Sequence, residues 1–181
     1  MLNLIPAPSA PILRALHPDD LPMLLDIQRA CYGDAFIESG DVYLRRLASA
    51  ANCSLVYERD GQVYAYLAAY RSSYGKITPL HGDFQVPDDM ANTLYLHDMA
   101  VHPACAGQGL AQALLESLWT QGRLSGLRHT ALVSVQDSLD FWARRGYVVQ
   151  PLRDAGQRAR LATYGEGAVY MARPLDTATL T

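Results

Sequence analysis

Thr93-Leu94-Tyr95-Leu96-His97-Asp98-Met99-Ala100-Val101, then His102-Pro103-Ala104-Cys105-Ala106-Gly107-Gln108-Gly109, then Leu110 onward to Ser125, is the stretch whose reading decides the fold. Its first part reads as an apolar strand. Its last part sets Leu110, Leu114, Leu115 and Leu118 at helical spacing. Between them, Gly107 and Gly109 free the backbone at a strand-to-helix turn, so that successive N–H groups can converge on one point. The first turn of the helix adds unpaired N–H donors and the positive end of its dipole. Together these make a receptor for phosphate.

Two phosphate motifs fit poorly. A P-loop needs Lys followed by Ser or Thr after its second glycine, and Leu110-Ala111 stands there. A dinucleotide fingerprint needs a third small residue three places after Gly109, where the chain has Gln112. Taken alone, Gly-x-Gly also suits a strand–helix turn whose glycines only permit tight packing. A second segment lies downstream, Ser138-Leu139-Asp140-Phe141-Trp142-Ala143-Arg144-Arg145-Gly146-Tyr147. There Phe141 and Trp142 would pack a helix on a sheet, and Gly146 would end it in a left-handed cap.

The two segments resemble motifs of the GNAT superfamily of N-acetyltransferases. The run from Val101 to Ala111 resembles that family's acetyl-coenzyme A loop, (Arg/Gln)-x-x-Gly-x-(Gly/Ala). Gly109 and Ala111 match it, and Gly107 is the glycine usual at a free position. Ala106 departs from it, which removes a side chain but no backbone donor. The segment from Phe141 to Tyr147 resembles the signature Phe-Tyr-x-x-x-Gly-Phe. The resemblance implies that Ala106, Gly107, Gln108, Gly109, Leu110 and Ala111 hold the pyrophosphate of acetyl-CoA. It implies that Met99, Ala100 and Val101 align the pantetheine arm, with Phe141 and Trp142 beside it, and that the Met99 amide polarises the acetyl carbonyl. Many members place a Tyr general acid where this chain has Trp142, and an indole N–H is no acid near neutral pH. The departing thiolate would then take its proton from another Tyr, a water or solvent, or leave unaided.

The implied reaction is direct transfer of acetyl from acetyl-CoA to a primary amine in a ternary complex. The acceptor would be a small molecule, an amino acid, a polyamine or a peptide N-terminus. The amine must be neutral, the carbonyl polarised, and the proton given a route. Strict alternation along the strand puts Tyr95, His97, Met99 and Val101 on one face and Leu96, Asp98 and Ala100 on the other. The family often has Glu or His near position 97. His97 is therefore the candidate base, imidazole being the side chain suited to proton transfer near neutral pH. Its plain alternative is a hydrogen-bonded core histidine. Tyr95 is the second candidate, as part of a water chain. Asp98 is expected to be a structural carboxylate bonded to backbone or arginine. Substrate contacts are expected from Tyr32, Phe36 and Glu38, from Tyr74, His81 and Asp83 in a long loop, and from Tyr164. Glu38 and Asp83 would hold a cationic group, or else be solvated loop charges.

Composition narrows the rest. The chain has 181 residues, 50% hydrophobic and 18% charged, with a net charge of -3. That suits one globular domain and argues against broad phosphate neutralisation of a nucleic acid. Cys31, Cys53 and Cys105 are odd in number and scattered, so they suggest neither a disulfide framework nor a metal site, and a reducing cytoplasm is the simplest home. No run is long and apolar enough to cross a membrane. Residues 1–11 read as a flexible leader, 12–175 as one domain and 176–181 as a tail.

Along the chain the patterns predict strands at Ile12–Leu16, Cys53–Glu58, Val63–Tyr70, Thr93–Val101, Thr130–Gln136, Gly146–Val149 and Ala168–Arg173. They predict helices from His17 to about Cys31, near Asp41–Ala51, from Leu110, and at Asp137–Arg145. A long loop fills Arg71–Asn92, and Tyr164–Met171 resembles the final hairpin of GNAT enzymes that acetylate amino termini or small amines. This order is an α/β (α+β) fold. The resemblance makes it a mixed, mostly antiparallel sheet of six to seven strands flanked by about four helices. Two other functions stay open. One is a non-catalytic acyl-CoA sensor and the other a family member using a different acyl donor. The family allows a homodimer.

Overall fold

An Asp-Gly pair starts the sheet. Asp60 and Gly61 both take positive φ, at 54° and 75°, which is the backbone that a tight two-residue hairpin requires. Here they join β2 (Leu55–Arg59) to β3 (Gln62–Ser72), and β1 (Ile12–Ala15) pairs outside β2. The computed structural model describes residues 10–85 and 90–175. Most of the expected leader, Pro87-Asp88-Asp89 of the expected loop, and the tail lie outside the described residues.

Two helices lie between β1 and β2. Helix α1 (Leu21–Cys31) follows a short 3-10 turn whose His17 backbone N–H donates to the Asp20 carboxylate at 2.8 Å. Helix α2 (Gly40–Ala48) starts where the Ser39 hydroxyl accepts from the Val42 amide. Then come β4 (Thr93–Val101), helix α3 (Leu110–Leu124), β5 (His129–Ser134), helix α4 (Leu139–Ala143), β6 (Val148–Val149), helix α5 (Ala155–Ala162) and β7 (Val169–Pro174). The strand order is β1-β2-β3-β4-β5-β7-β6, antiparallel throughout except for the parallel β4–β5 pair. This is a mixed, mostly antiparallel seven-stranded sheet, as the resemblance implied, flanked by five helices where about four were expected.

Two apolar layers hold it. On one face Leu24 and Ile27 of α1 and Tyr43 of α2 pack on Tyr66, Tyr70 and Tyr95. On the other, Leu114, Leu115 and Leu118 of α3 and Trp142 of α4 pack on Leu67, Leu96 and Leu132. Completely burying one such leucine contributes about 2 kcal/mol.

Three expectations need correction. The run Ala155–Ala162 is a helix, and the sequence reading left it unassigned. Asp154 caps it by accepting from the Gln157 amide at 2.8 Å. In consequence the last strands form no tight hairpin at Tyr164–Met171. β7 instead pairs with β6 across a connection that carries α5. Helix α4 is also shorter than expected, because Gln136 and Asp137 both take positive φ before it. Its end agrees with expectation: Gly146, at φ 83°, donates to the Ala143 carbonyl, and Tyr147 donates to that of Trp142.

The third correction lies in β4. Ala68 pairs with Asp98 and the next residue, Ala69, pairs with Leu96, so His97 is an extra residue, a β-bulge. Alternation breaks there. Tyr95, His97, Asp98 and Ala100 all face the α1–α2 layer, while Leu96, Met99 and Val101 face the α3 layer.

Candidate active site

Parallel pairing of β4 with β5 runs only from Thr93 to Leu96 against His129 to Leu132. Past that point β5 stays with β7 and the two strands part. The gap is a cleft of about 210 Å3 lined by Leu96, Met99, Leu132, Phe141 and Trp142, among others. A second cavity of about 60 Å3 lies against Phe36, Glu38, Leu80 and Tyr164. Tyr32, His97, Asp98, Val133, Val135 and Gln136 line both, so the two are joined.

The glycine turn lies at the C-terminal end of β4. Gly107 and Gly109 have φ 75° and 79°, and nothing stands within 4 Å of where a Cβ would be. The glycines are thus needed for backbone conformation rather than for space. The first bond of α3 runs from the Ala113 amide to the Gly109 carbonyl. The amides of Leu110, Ala111 and Gln112 lie ahead of it, as the open donors of a helix start. By contrast, the Ala106 amide donates to Pro103 and the Gln108 amide to Cys105, so these two expected ligands already serve the turn.

The bulge brings His97 and Asp98 side by side. The His97 ring is 1% exposed, with Nε2 3.0 Å from Glu38 Oε2. Glu38 is itself saturated. Its Oε1 accepts from Arg46 Nη2 at 2.5 Å and the His81 amide at 2.7 Å. Its Oε2 accepts from Arg46 Nη1 at 2.6 Å and from His97. Burial pushes the Glu38 carboxyl up, but the His97 and Arg46 contacts outweigh it and hold it far below the ordinary range. An ionised, acceptor-only Glu38 requires that His97 Nε2 carry a proton, which leaves Nδ1 as the basic nitrogen. Nδ1 lies 3.3 Å from the Tyr164 hydroxyl, which donates to the Thr78 carbonyl at 2.7 Å. A proton arriving on Nδ1 therefore finds the Tyr164 oxygen waiting to accept a hydrogen bond.

Asp98 departs from its expected partners. Three tyrosine hydroxyls, those of Tyr32, Tyr43 and Tyr66, lie 2.7, 2.6 and 2.5 Å from its carboxylate. No arginine among the described residues bonds it. The Tyr32 hydroxyl is also 2.7 Å from the Met99 carbonyl. Burial and the Asp98 charge push all three phenols well above their usual value, so they stay protonated donors.

The expected site residues now divide. His97, Met99, Phe141, Trp142, Tyr32, Phe36, Glu38 and Tyr164 line the joined cavities. Tyr95 does not. It is buried in the core, tilted against Tyr70 at 5.2 Å, one layer behind His97. Glu38 lines the cavity but has no lone pair left for a substrate cation. His81 is exposed and contributes its amide, not its ring. Asp83 is paired with Arg45 at 2.8 Å, and Tyr74 packs on His129 and Tyr170. Sequence reasoning missed Arg46, which reaches back along α2 to Glu38 just before the helix cap, outside the usual three- and four-residue spacings. Among the described residues no group of His, Cys, Asp or Glu could hold a metal ion, and no helix is long and apolar enough to cross a membrane.

A sheet wedged open beside a left-handed glycine turn at a helix start agrees with the acetyltransferase fold that the sequence resemblance implied. The chain belongs to the acetyltransferase (GNAT) family, whose model matches residues 21–147. No curated protein matches it in sequence. Among solved structures it is similar to the ribosomal-protein-S18-alanine N-acetyltransferase from Escherichia coli, at 18% identity and TM-score 0.66, over 95% of this chain and 98% of that one. It is similar to the GphF GNAT-like decarboxylase in complex with isobutyryl-CoA, at 17% identity and TM-score 0.72, over 91% and 100%. A GNAT acetyltransferase from Brucella melitensis in complex with acetyl-CoA matches at 21% identity and TM-score 0.55, over 77% and 83%. At these identities the likeness is one of fold.

Proposed function

We propose that the protein transfers an acetyl group from acetyl-CoA to a primary amine, with His97 as the base. The observation that carries this is the 3.0 Å contact of His97 Nε2 with the saturated Glu38 carboxylate, which leaves Nδ1, on a residue that lines both cavities, as the proton-accepting nitrogen beside the Tyr164 hydroxyl. The open amides of Leu110, Ala111 and Gln112, with the turn at Gly107 and Gly109, are suited to a diphosphate. The missing side chain at Ala106 costs one contact and none of these donors. Met99, Phe141 and Trp142 line the cleft where the pantetheine arm would lie against the unpaired edge of β4. Acetyl-CoA supplies an activated carbonyl and a thiolate leaving group. Asp98 receives the ammonium, and His97 Nδ1 takes its proton, directly or through a water. The amine nitrogen then forms the C–N bond as the C–S bond breaks, and the second amine proton goes to the departing thiolate, directly or through solvent, so that coenzyme A leaves as the thiol. The bulge that turns Asp98 to the His97 side is what brings these two steps together.

Trp142 favours one second reading, a non-catalytic acyl-CoA sensor, because the indole offers no acid for the leaving thiolate. Thiol release across an amine panel separates the two. The enzyme reading expects turnover, and His97→Gln should lower kcat/KM by roughly 10²–10⁴ with acetyl-CoA affinity unchanged in calorimetry. Tight binding with no turnover on any amine would establish the sensor, and no binding would end both readings.

A further inference from the structure

The charges lining the joined cavities are one-sided. Among the described residues the lining includes Glu38, His97 and Asp98, and no arginine or lysine. Arg46, the cation behind Glu38, is spent. Its Nη atoms bond the carboxylate, and its Nε and Nη2 donate to the Gly82 carbonyl. Asp98 has capacity to spare. Its Oδ2 accepts from Tyr43 and Tyr66, and its Oδ1 from Tyr32, which leaves one of about four lone-pair positions for an incoming donor. The remaining wall combines the apolar Phe36, Leu80, Val133 and Val135 with Gln136 and the hydroxyl-bearing Tyr32 and Tyr164.

We infer that the acceptor is an amine with an apolar body and no carboxylate beside its nitrogen, such as a branched alkylamine or a peptide N-terminus whose first carboxyl is an amide. The inference rests on the acetyltransferase reading and adds the class of acceptor to it. An ammonium finds the open lone pair of Asp98. A carboxylate one carbon away would be desolvated next to that same Asp98, with no cation to pair it. The apolar side chains of Phe36, Leu80, Val133 and Val135 around the smaller cavity suit an apolar body on the amine.

The test uses three compounds that share the isobutyl group and the amine-bearing carbon and differ in what else that carbon carries: 3-methylbutylamine, leucinamide and leucine. Thiol release by the wild-type protein should give a kcat/KM for leucine roughly a hundredfold below those of the other two. Asp98→Asn, nearly isosteric, should narrow the gap between leucine and leucinamide. Leucine as good as leucinamide would overturn the inference and leave the acetyltransferase reading standing. No turnover of the three by a protein that binds acetyl-CoA would also overturn it. A protein that does not bind acetyl-CoA would instead overturn the reading beneath it.

Discussion

Replacing Glu38 by Gln should cost this protein more stability than almost any other isosteric change. The carboxylate and the Arg46 guanidinium are each about 2% exposed, and their two hydrogen bonds are 2.5 and 2.6 Å long. The carboxylate also accepts from the His81 amide and from His97. Glutamine keeps the shape but turns one oxygen into an NH2 group, which must then face donors. Arg46 loses its counter-ion while staying buried. Breaking one partner of a buried pair costs about 3–5 kcal/mol. For a chain of this size each kcal/mol shifts Tm by about 2–4 °C, so the melting temperature should fall by roughly 6–20 °C. Thermal and urea denaturation at pH 7 give the number. A double variant, Glu38→Leu with Arg46→Met, should recover much of the loss, since well-packed apolar replacements of such pairs are often neutral. The pH dependence follows in sign. A depressed carboxyl contributes its full stability above the ordinary value of 4.5 and loses it as the pH falls below. Wild-type protein should therefore weaken more steeply with acid below about pH 4.5 than Glu38→Gln. A single variant within about 1 kcal/mol of wild type, or a double variant as damaged as the single, would refute the buried-pair argument.

Gly109→Ala should lower Tm by a few degrees and weaken acetyl-CoA affinity in calorimetry. The methyl meets no atom, and the cost, about 1 kcal/mol, comes from a backbone held at φ 79°. Tyr43→Phe should cost about 1.5–3 kcal/mol in urea denaturation, because it removes a 2.6 Å hydrogen bond to the Asp98 charge.

The turn at Gly107 and Gly109 was legible because glycine is the only residue that takes such backbone freely, so the residue type reports the conformation. Asp60-Gly61, between the two predicted strands Cys53–Glu58 and Val63–Tyr70, carries a signal of the same kind, since aspartate and glycine are residues that tolerate the positive φ of a tight hairpin. The bulge at His97 was not. Leu96-His97-Asp98 contains neither glycine nor proline, and only pairing with Ala68 and Ala69 of β3 shows the extra residue. Missing it placed Asp98 on the wrong face and Met99 on the face of His97. Helix α5 did leave a trace. Asp154 stands three residues before Gln157, the spacing of a capping box. Its apolar stripe is thin, with Leu161 packed on the core and charged residues around it, so periodicity was silent. The Glu38–Arg46 pair joins a loop to α2 by geometry alone. No spacing rule distinguishes those two residues from the solvated charges nearby.

Four residue pairs, Thr93–Leu96 against His129–Leu132, are all that zip β4 to β5. The sheet is in effect two plates, β1–β4 and β5–β7–β6, joined along a short seam and splayed beyond it. An extended chain lying in the splay would act as mortar between the plates, in the way an added strand closes an open edge. The slowest amide exchange in the molecule should then depend on occupancy of that seam as much as on the packing of either plate.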